Sequence, residues 1–532
     1  MSLLSTLARL QAVRSGHAEP LATVCHRHLS PRPLVLVPLA TAVEDGAPLA
    51  VLLGTDRTAP ALHFVPQPLN RERRFEFLAA LADEVLPYLE SFAADTEPVE
   101  GSEKDPQTGE KIPVVRELCA DAPQLIVPNT GGVRHLALLG RATRFRRTAE
   151  DPDPGPFPAP PRVPLLGRWL THLAERSQVP GSCLLLPMTG LLSRHWATGQ
   201  SQLEDQQLAA QLAWHTEPAG FGAGTGAAAA EFVETARDEH GQLLHPPASP
   251  ATDPRFDEKR LAPAIARYDA ALTALRHAEG AERVAAGQRA LDLAVEALRA
   301  LLLGVLLPTW HDVWQGLDLL RTLPPAAHVA ERWESDRWSY TGHRDRLAAG
   351  EPPQPRLDDA VTAARKLALR EREQVRLEVG EALDDPLAMA ERRLAGEAFS
   401  GVVTEVEPAY DTSGRSPKPR PLLTVRTDDR PHADPGREAH RAGAGPVAQK
   451  AEITAFETAT GLLTLRLLSG MGRRKEPEPG TVPAVGDRVT FTLFELTPRQ
   501  SAPLPEPDDT PWTHGGPPAA ARNSTATREE WA

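Results

Sequence analysis

The chain has 532 residues, with 58 Lys+Arg against 71 Asp+Glu and a formal net charge of −13, so a globally basic nucleic-acid coat is excluded and any anionic ligand must be met locally. Three widely spaced cysteines, Cys25, Cys119 and Cys183, supply neither a disulfide framework nor a four-thiolate zinc site, and no apolar run approaches the roughly 20 residues a membrane span needs. Fifty-three prolines point to several units joined by stiff connectors in a cytoplasmic chain, and the Arg, Ala and Pro bias is that of a high-GC bacterial coding sequence.

In chain order, residues 1–150 read as an α/β domain. Apolar runs at Leu34–Val37, Ala50–Leu53, His63–Val65 and Leu125–Val127 predict strands, Glu72 to Ala93 predicts a helix, and the polar stretch Asp95 to Lys111 predicts an exposed loop. This order is compatible with an inactive ribonuclease-H-like domain. Two-metal nuclease chemistry needs an acid on the first strand, yet Leu34–Leu39 carries none; Glu44 and Asp45 fall in the following turn, and Asp83, Glu84 and Glu90 read as the wet face of the helix.

The proline-rich linker 151–161 is expected to separate two folded units. Residues 162–250 then show helical spacing up to Trp214 and a Gly/Ala-rich loop. Within 251–350, the 4,3,4,3 spacing of Leu261, Ile265, Tyr268, Leu272 and Leu275 resumes after Gly280 as far as Val305, which predicts a helical hairpin whose second arm Pro308 ends. Trp310, Trp314, Trp333 and Trp338 are expected as its anchors.

A charged stalk helix is expected over 351–395, with a break at Asp385-Pro386. Over 396–497 the period becomes that of strands, at Val402–Thr404, Leu422–Val425, Glu452–Phe456, Leu462–Leu467 and Arg488–Leu493, which predicts a five-stranded OB- or SH3-like β-barrel. Residues 498–532 read as a disordered tail. The fold class is therefore multidomain α+β.

The chemistry-bearing motifs are mostly missing. No Walker A sequence and no Gly-x-Ser-x-Gly elbow occurs, so the chain reads as lacking enzymatic activity, without cofactor or metal, unless folding assembles a nuclease-like site that carries no motif. Gly222-Ala-Gly224-Thr-Gly-Ala227 lacks the strand that a dinucleotide fingerprint requires, and Cys25-His26-Arg27-His28 lacks a second ligand pair and reads as a polar loop. The informative stretch is Asn129-Thr-Gly-Gly132, a helix opening able to receive phosphate, followed by Arg134, Arg141, Arg144, Phe145, Arg146 and Arg147. Arginine forks grip phosphates and Phe145 offers a stacking face; the competing reading has these arginines pairing with acids such as Glu150, Asp151 and Asp153. Arg473, Arg474 and Lys475 form a second basic patch before the last barrel strand.

The order of charged helix, barrel from Phe399-Ser-Gly-Val-Val-Thr-Glu-Val406 to Val485-Gly-Asp-Arg-Val489, and Pro-rich exit resembles the region preceding the motor in superfamily I helicases of the nonsense-decay type. That resemblance, over about residues 358–498, implies stalk helices and a barrel lying beside nucleic acid. The chain stops at Ala532, where the motor would begin, so the resemblance also implies a separate ATPase or helicase partner. The expectation is a non-catalytic nucleic-acid-binding accessory protein that assists a helicase or nuclease in repair or defence. The alternative is a protein–protein scaffold built on the hairpin.

Overall fold

A computed structural model describes residues 3–42, 47–104, 110–218, 220–239, 241–247, 250–413, 417–443, 449–472 and 474–497. Arg473, Glu44, Asp45 and the tail from residue 498 lie outside the described residues.

The chain opens with α1 (Leu3–Ser15) and β1 (Glu19–Pro20). Next come β2 (Leu34–Ala40), β3 (Pro48–Gly54), β4 (Ala61–Phe64), α2 (Arg71–Glu90), β5 (Thr96–Lys104), β6 (Lys111–Cys119), β7 (Leu125–Val127), α3 (Thr130–Thr143), α4 (Val163–Arg176), β8 (Leu185–Pro187), α5 (Met188–His195) and β9 (Trp196–Ala197), which pairs with β1. One mixed sheet runs β4-β3-β2-β7-β8, antiparallel from β4 to β2 and parallel from β2 to β8. All seven residues of β2 are buried, as expected of a central strand with both faces covered.

Two sequence readings fail in this region. Leu185-Leu186-Pro187, expected within a helical patch, supplies the fifth strand, because a short apolar run has no period of its own. Of the stretch expected as a loop, Thr96–Lys104 is instead one arm of a ribbon in which β5 pairs with β6 from Thr96↔Cys119 to Lys104↔Lys111, so its backbone groups are satisfied by a strand that lies mostly in solvent; residues 105–109 lie outside the described residues.

The linker 151–161 does not divide the interior into separate cores, since α4 folds back onto α3 at very close range. A Cβ at Gly140 would lie 2.7 Å from the Thr171 nitrogen, and one at Gly167 would lie 2.5 Å from the Arg144 nitrogen. Only glycine permits this approach. Gly167→Val is expected to cost about 3 kcal/mol through overpacking, read as a lower midpoint in urea unfolding.

Short helices α6 (Leu208–Leu212), α7 (Gly226–Thr235) and α8 (Pro254–Phe256) lead to the hairpin of α9 (Ala262–Arg276) and α10 (Ala281–Leu320), turned at Gly280 with φ +86° as its spacing predicts. Pro308 does not end α10. Leu302, Leu306, Trp310, Val313, Trp314 and Leu317 are buried around it, and their burial outweighs the roughly 3 kcal/mol cost of an internal proline. One hydrophobic core runs from Leu34 to Tyr340, so sheet and helices share an interior.

After α11 (Val329–Ala348), the stalk is α12 (Ala360–Asp384) and α13 (Pro386–Leu394), broken where the Asp385-Pro386 step predicts. The last unit comprises β10 (Ala398–Glu407), the small pair β11 (Tyr410–Asp411) and β12 (Lys418–Pro419), then β13 (Leu422–Thr427), β14 (Glu438–Arg441), β15 (Gln449–Glu457), β16 (Leu462–Leu467) and β17 (Arg488–Thr492). Six strands close a barrel in the order β10-β13-β16-β15-β14-β17, one more than the five expected. The extra strand is β14, Glu-Ala-His-Arg, which is too short and polar to signal itself. Alternating burial in β13 and β16 sends Leu423, Val425, Leu463 and Leu465 inward to meet Phe399 and Phe491.

Candidate nucleic-acid interface

The buried strand β7 delivers Asn129 to the start of α3, where its side-chain oxygen accepts from the Gly132 N–H at 3.1 Å. The Thr130 hydroxyl donates to the Gln206 side chain, and Gly132 packs so closely that a Cβ there would stand 2.9 Å from the Val127 Cβ. Asn129 thus satisfies one N–H of the helix opening that was expected to receive phosphate. Asn129-Thr-Gly-Gly132 is a cap and a packing contact.

The arginines that follow divide by helical phase. His135, Leu136, Leu139, Gly140 and Thr143 face the interior, whereas Arg134, Leu138, Arg141 and Phe145, spaced 4,3,4, form one exposed stripe. Burial pushes His135 down to about 4 and keeps that ring neutral behind the stripe. Among the described residues no carboxylate pairs with Arg134 or Arg141.

Past the helix, Arg144 turns inward. It is 3% exposed, and it donates through Nε to the Gln354 carbonyl at 3.0 Å and through Nη2 to the Pro355 carbonyl at 3.5 Å. Phe145 lies between two guanidinium groups, Arg144 at 4.7 Å and Arg356 at 5.5 Å from its ring centre, so the ring expected to stack on a base already has cationic neighbours. Arg146 donates to the Ala142 carbonyl at 3.2 Å. Arg147 pairs with Asp153, as the competing reading has it.

The fold adds arginines that the sequence does not place here. Arg168 on α4 donates to the Glu351 carbonyl at 2.6 Å, and Arg346 in the last turn of α11 stands near enough to act on it electrostatically. Burial first, and Arg346 after it, lower the Arg168 pKa, while Glu351 opposes them. Together with Arg356 these side chains widen the basic field around the end of α3. Nothing in sequence spacing links positions 144, 168, 346 and 356; only the packing of α3, α4 and α11 does. On the barrel, Arg474 and Lys475 are exposed in the β16–β17 connection, with Glu476 and Glu478 close behind in sequence.

A second polar cluster has almost no signal in the sequence. Cys25-His26-Arg27-His28 is not a solvated loop: Cys25, His26 and Arg27 are buried where the N-terminal body meets the stalk. His26 Nε2 faces Asp385 Oδ2 at 3.1 Å, and its backbone N–H donates to His195 Nε2 at 3.1 Å. His195 Nδ1 donates to the Leu191 carbonyl at 2.7 Å, which fixes the tautomer that leaves Nε2 to accept from His26, and burial, against the pull of that carbonyl, lowers its pKa to about 4. His328 Nδ1 meets Asp384 at 2.6 Å, and the His26 and His328 rings stack 5.4 Å apart. The cluster fastens the stalk to the body, and its traces in the sequence are the Cys25–His28 run, read there as a polar loop, and the Asp384-Asp385 pair beside the stalk break.

Of the carboxylates weighed for nuclease chemistry, those among the described residues make surface ion pairs. Asp83 and Glu90 pair with Arg162, and Glu84 pairs with His63. Among the described residues no group of three His, Cys, Asp or Glu side chains could hold a metal ion, and Gly222–Thr225 is a loop without a preceding strand. No helix among these residues is long and apolar enough to cross a membrane. Comparison with protein-family models, with curated proteins and with solved structures finds no match.

Proposed function

We propose that the chain is a non-catalytic nucleic-acid-binding accessory protein of the cytoplasm that assists a separate helicase or nuclease. The observation that carries this reading is the arginine field at the end of α3. In a chain with 71 acidic against 58 basic residues, Arg134, Arg141 and Arg346 form no ion pair with a carboxylate among the described residues, Arg168 has Glu351 as its one acidic influence, and a polyanion would supply the missing charge. Elsewhere arginines do find acids, as in Arg176–Asp336 and Arg393–Asp429.

The rest of the architecture supports the same reading. The order of the mixed sheet, antiparallel and then parallel with no acid on β2, suits a ribonuclease-H-like domain without its catalytic carboxylates. A broken stalk entering a closed barrel suits the resemblance to the region before a superfamily I motor, with Arg474 and Lys475 as the barrel's contribution to the strand path. A protein-docking role for the hairpin is favoured by one feature: residues 281–297 of α10 are mostly exposed, with Leu293 at 72%.

Charge reversal at the stripe tests the proposal. Arg134→Glu/Arg141→Glu is expected to weaken binding of a labelled single-stranded 20-mer at least tenfold, and to flatten the log–log salt dependence by about 1.4, some 0.7 for each lost phosphate contact. Fluorescence anisotropy reads both. Unchanged affinity and slope would remove the stripe from the interface.

A further inference from the structure

The segment between α11 and α12 lies across the arginine field and is held there by the arginines themselves. Glu351-Pro-Pro-Gln-Pro-Arg356 has no helix or strand and contributes few N–H groups, because three of its six residues are proline. Among the described residues, side-chain bonds tie it to the field: Arg144 to the Gln354 and Pro355 carbonyls, Arg168 to the Glu351 carbonyl, and Gln354 Nε2 back to the Arg168 carbonyl at 3.2 Å. At its start the Glu351 N–H donates to the Arg346 carbonyl at 3.0 Å, and at its end Arg356 covers one side of Phe145.

Three features separate this seat from an ordinary loop contact. Arg144 and Arg168 donate to backbone carbonyl oxygens of the segment, which offer acceptor geometry like that of phosphate oxygens, and Glu351 adds only an electrostatic influence on Arg168. The fit is incomplete, since Arg168 Nε and the Gln354 side-chain oxygen are both buried with no hydrogen-bond partner. The segment also contributes none of the large buried hydrophobic residues of the core.

We propose that residues 351–356 are an intramolecular strap that occupies the phosphate-binding positions of Arg144 and Arg168, and that a single-stranded nucleic acid displaces it to engage them. This rests on the reading of the α3 field as a nucleic-acid interface and adds its regulation. The exposed pair Arg134 and Arg141 makes first contact. Arg144 and Arg168 join only when the strap leaves, so the strap lowers apparent affinity by the fraction of time it is seated.

The test compares the full chain with Pro352→Gly/Pro353→Gly/Gln354→Gly/Pro355→Gly and with the milder Gln354→Ala, using a labelled single-stranded 20-mer. The loosened variant is expected to bind about fivefold tighter. Its salt slope should steepen by about 1.4, because two more arginines reach phosphate. Gln354→Ala should move the same way by less. In the unaltered protein, adding the oligonucleotide should speed trypsin cleavage after Arg356. If the loosened variant keeps its circular dichroism spectrum and binds with unchanged affinity and slope, while Arg134→Glu/Arg141→Glu still abolishes binding, the strap is structural and the interface stands. Absence of binding by both the unaltered and the loosened proteins would overturn the strap and the interface together.

Discussion

Acidification from pH 7 to pH 5 is expected to destabilise the N-terminal body by several kcal/mol. His135, His195 and His343 are at most 3% exposed, and burial, the largest cause in each case, depresses their pKa values to about 4, about 4 and about 3. His172, stacked on His343 with ring centres 4.1 Å apart, is pushed well below its ordinary value by burial and then by His343. In each case the unfolded chain takes up its proton near pH 6.5 while the folded ring stays neutral. The stability is therefore intact above that pH and falls as the pH drops toward the folded value. Each ring contributes a loss of roughly 2 kcal/mol by pH 5. Asp312, raised by burial to about 7, acts in the opposite direction and offsets about one of them. Asp385, held at about 2, keeps its contribution throughout this window. Urea midpoints measured every half pH unit should fall steadily below pH 6.5; a flat profile to pH 5 would mean that these rings are not buried neutral groups.

Asp385→Ala is the second large effect, an expected loss of about 3–5 kcal/mol. The Asp385 side chain is fully buried and accepts from the Thr23 N–H at 2.9 Å, the Thr23 hydroxyl at 3.0 Å, the Leu387 N–H at 2.9 Å and His26 Nε2 at 3.1 Å. Burial alone would raise its pKa, but these donors together override burial and bring it to about 2. Alanine strands the donors of Thr23 and His26 away from water and removes the cap of α13 at the stalk break. Asp385→Asn retains an acceptor but turns a second donor toward His26 and Thr23, so it should lose less. Urea unfolding reads both variants, and an alanine variant as stable as the parent would show that the stalk is fastened elsewhere.

What the sequence made legible follows from which signals are local. The spacing on either side of Gly280 is written along one helix face and gave the hairpin, and the period-2 runs gave five of the six barrel strands. Asp385-Pro386 gave the break in the stalk. Tertiary packing decided the rest: Pro308 is carried through α10 by the tryptophans and leucines around it, and β8 is a strand only because β7 lies beside it. At the candidate interface, residue type was legible and orientation was not. Arg134 and Arg141 face solvent as expected, whereas Arg144 turns inward because its acceptors lie 210 residues away in the chain. Arg168, Arg346 and Arg356 could join the field only after α4 and α11 were packed against α3.

The most direct measurement of the central claim is the salt dependence of single-stranded oligonucleotide binding by the intact chain, read by fluorescence anisotropy between about 50 and 200 mM salt. Contact by the exposed stripe and the barrel patch predicts a log–log slope of about −2 or steeper, falling by about 1.4 in Arg134→Glu/Arg141→Glu. Binding that ignores salt, or no binding at the low-salt end even with the strap loosened, would contradict the account.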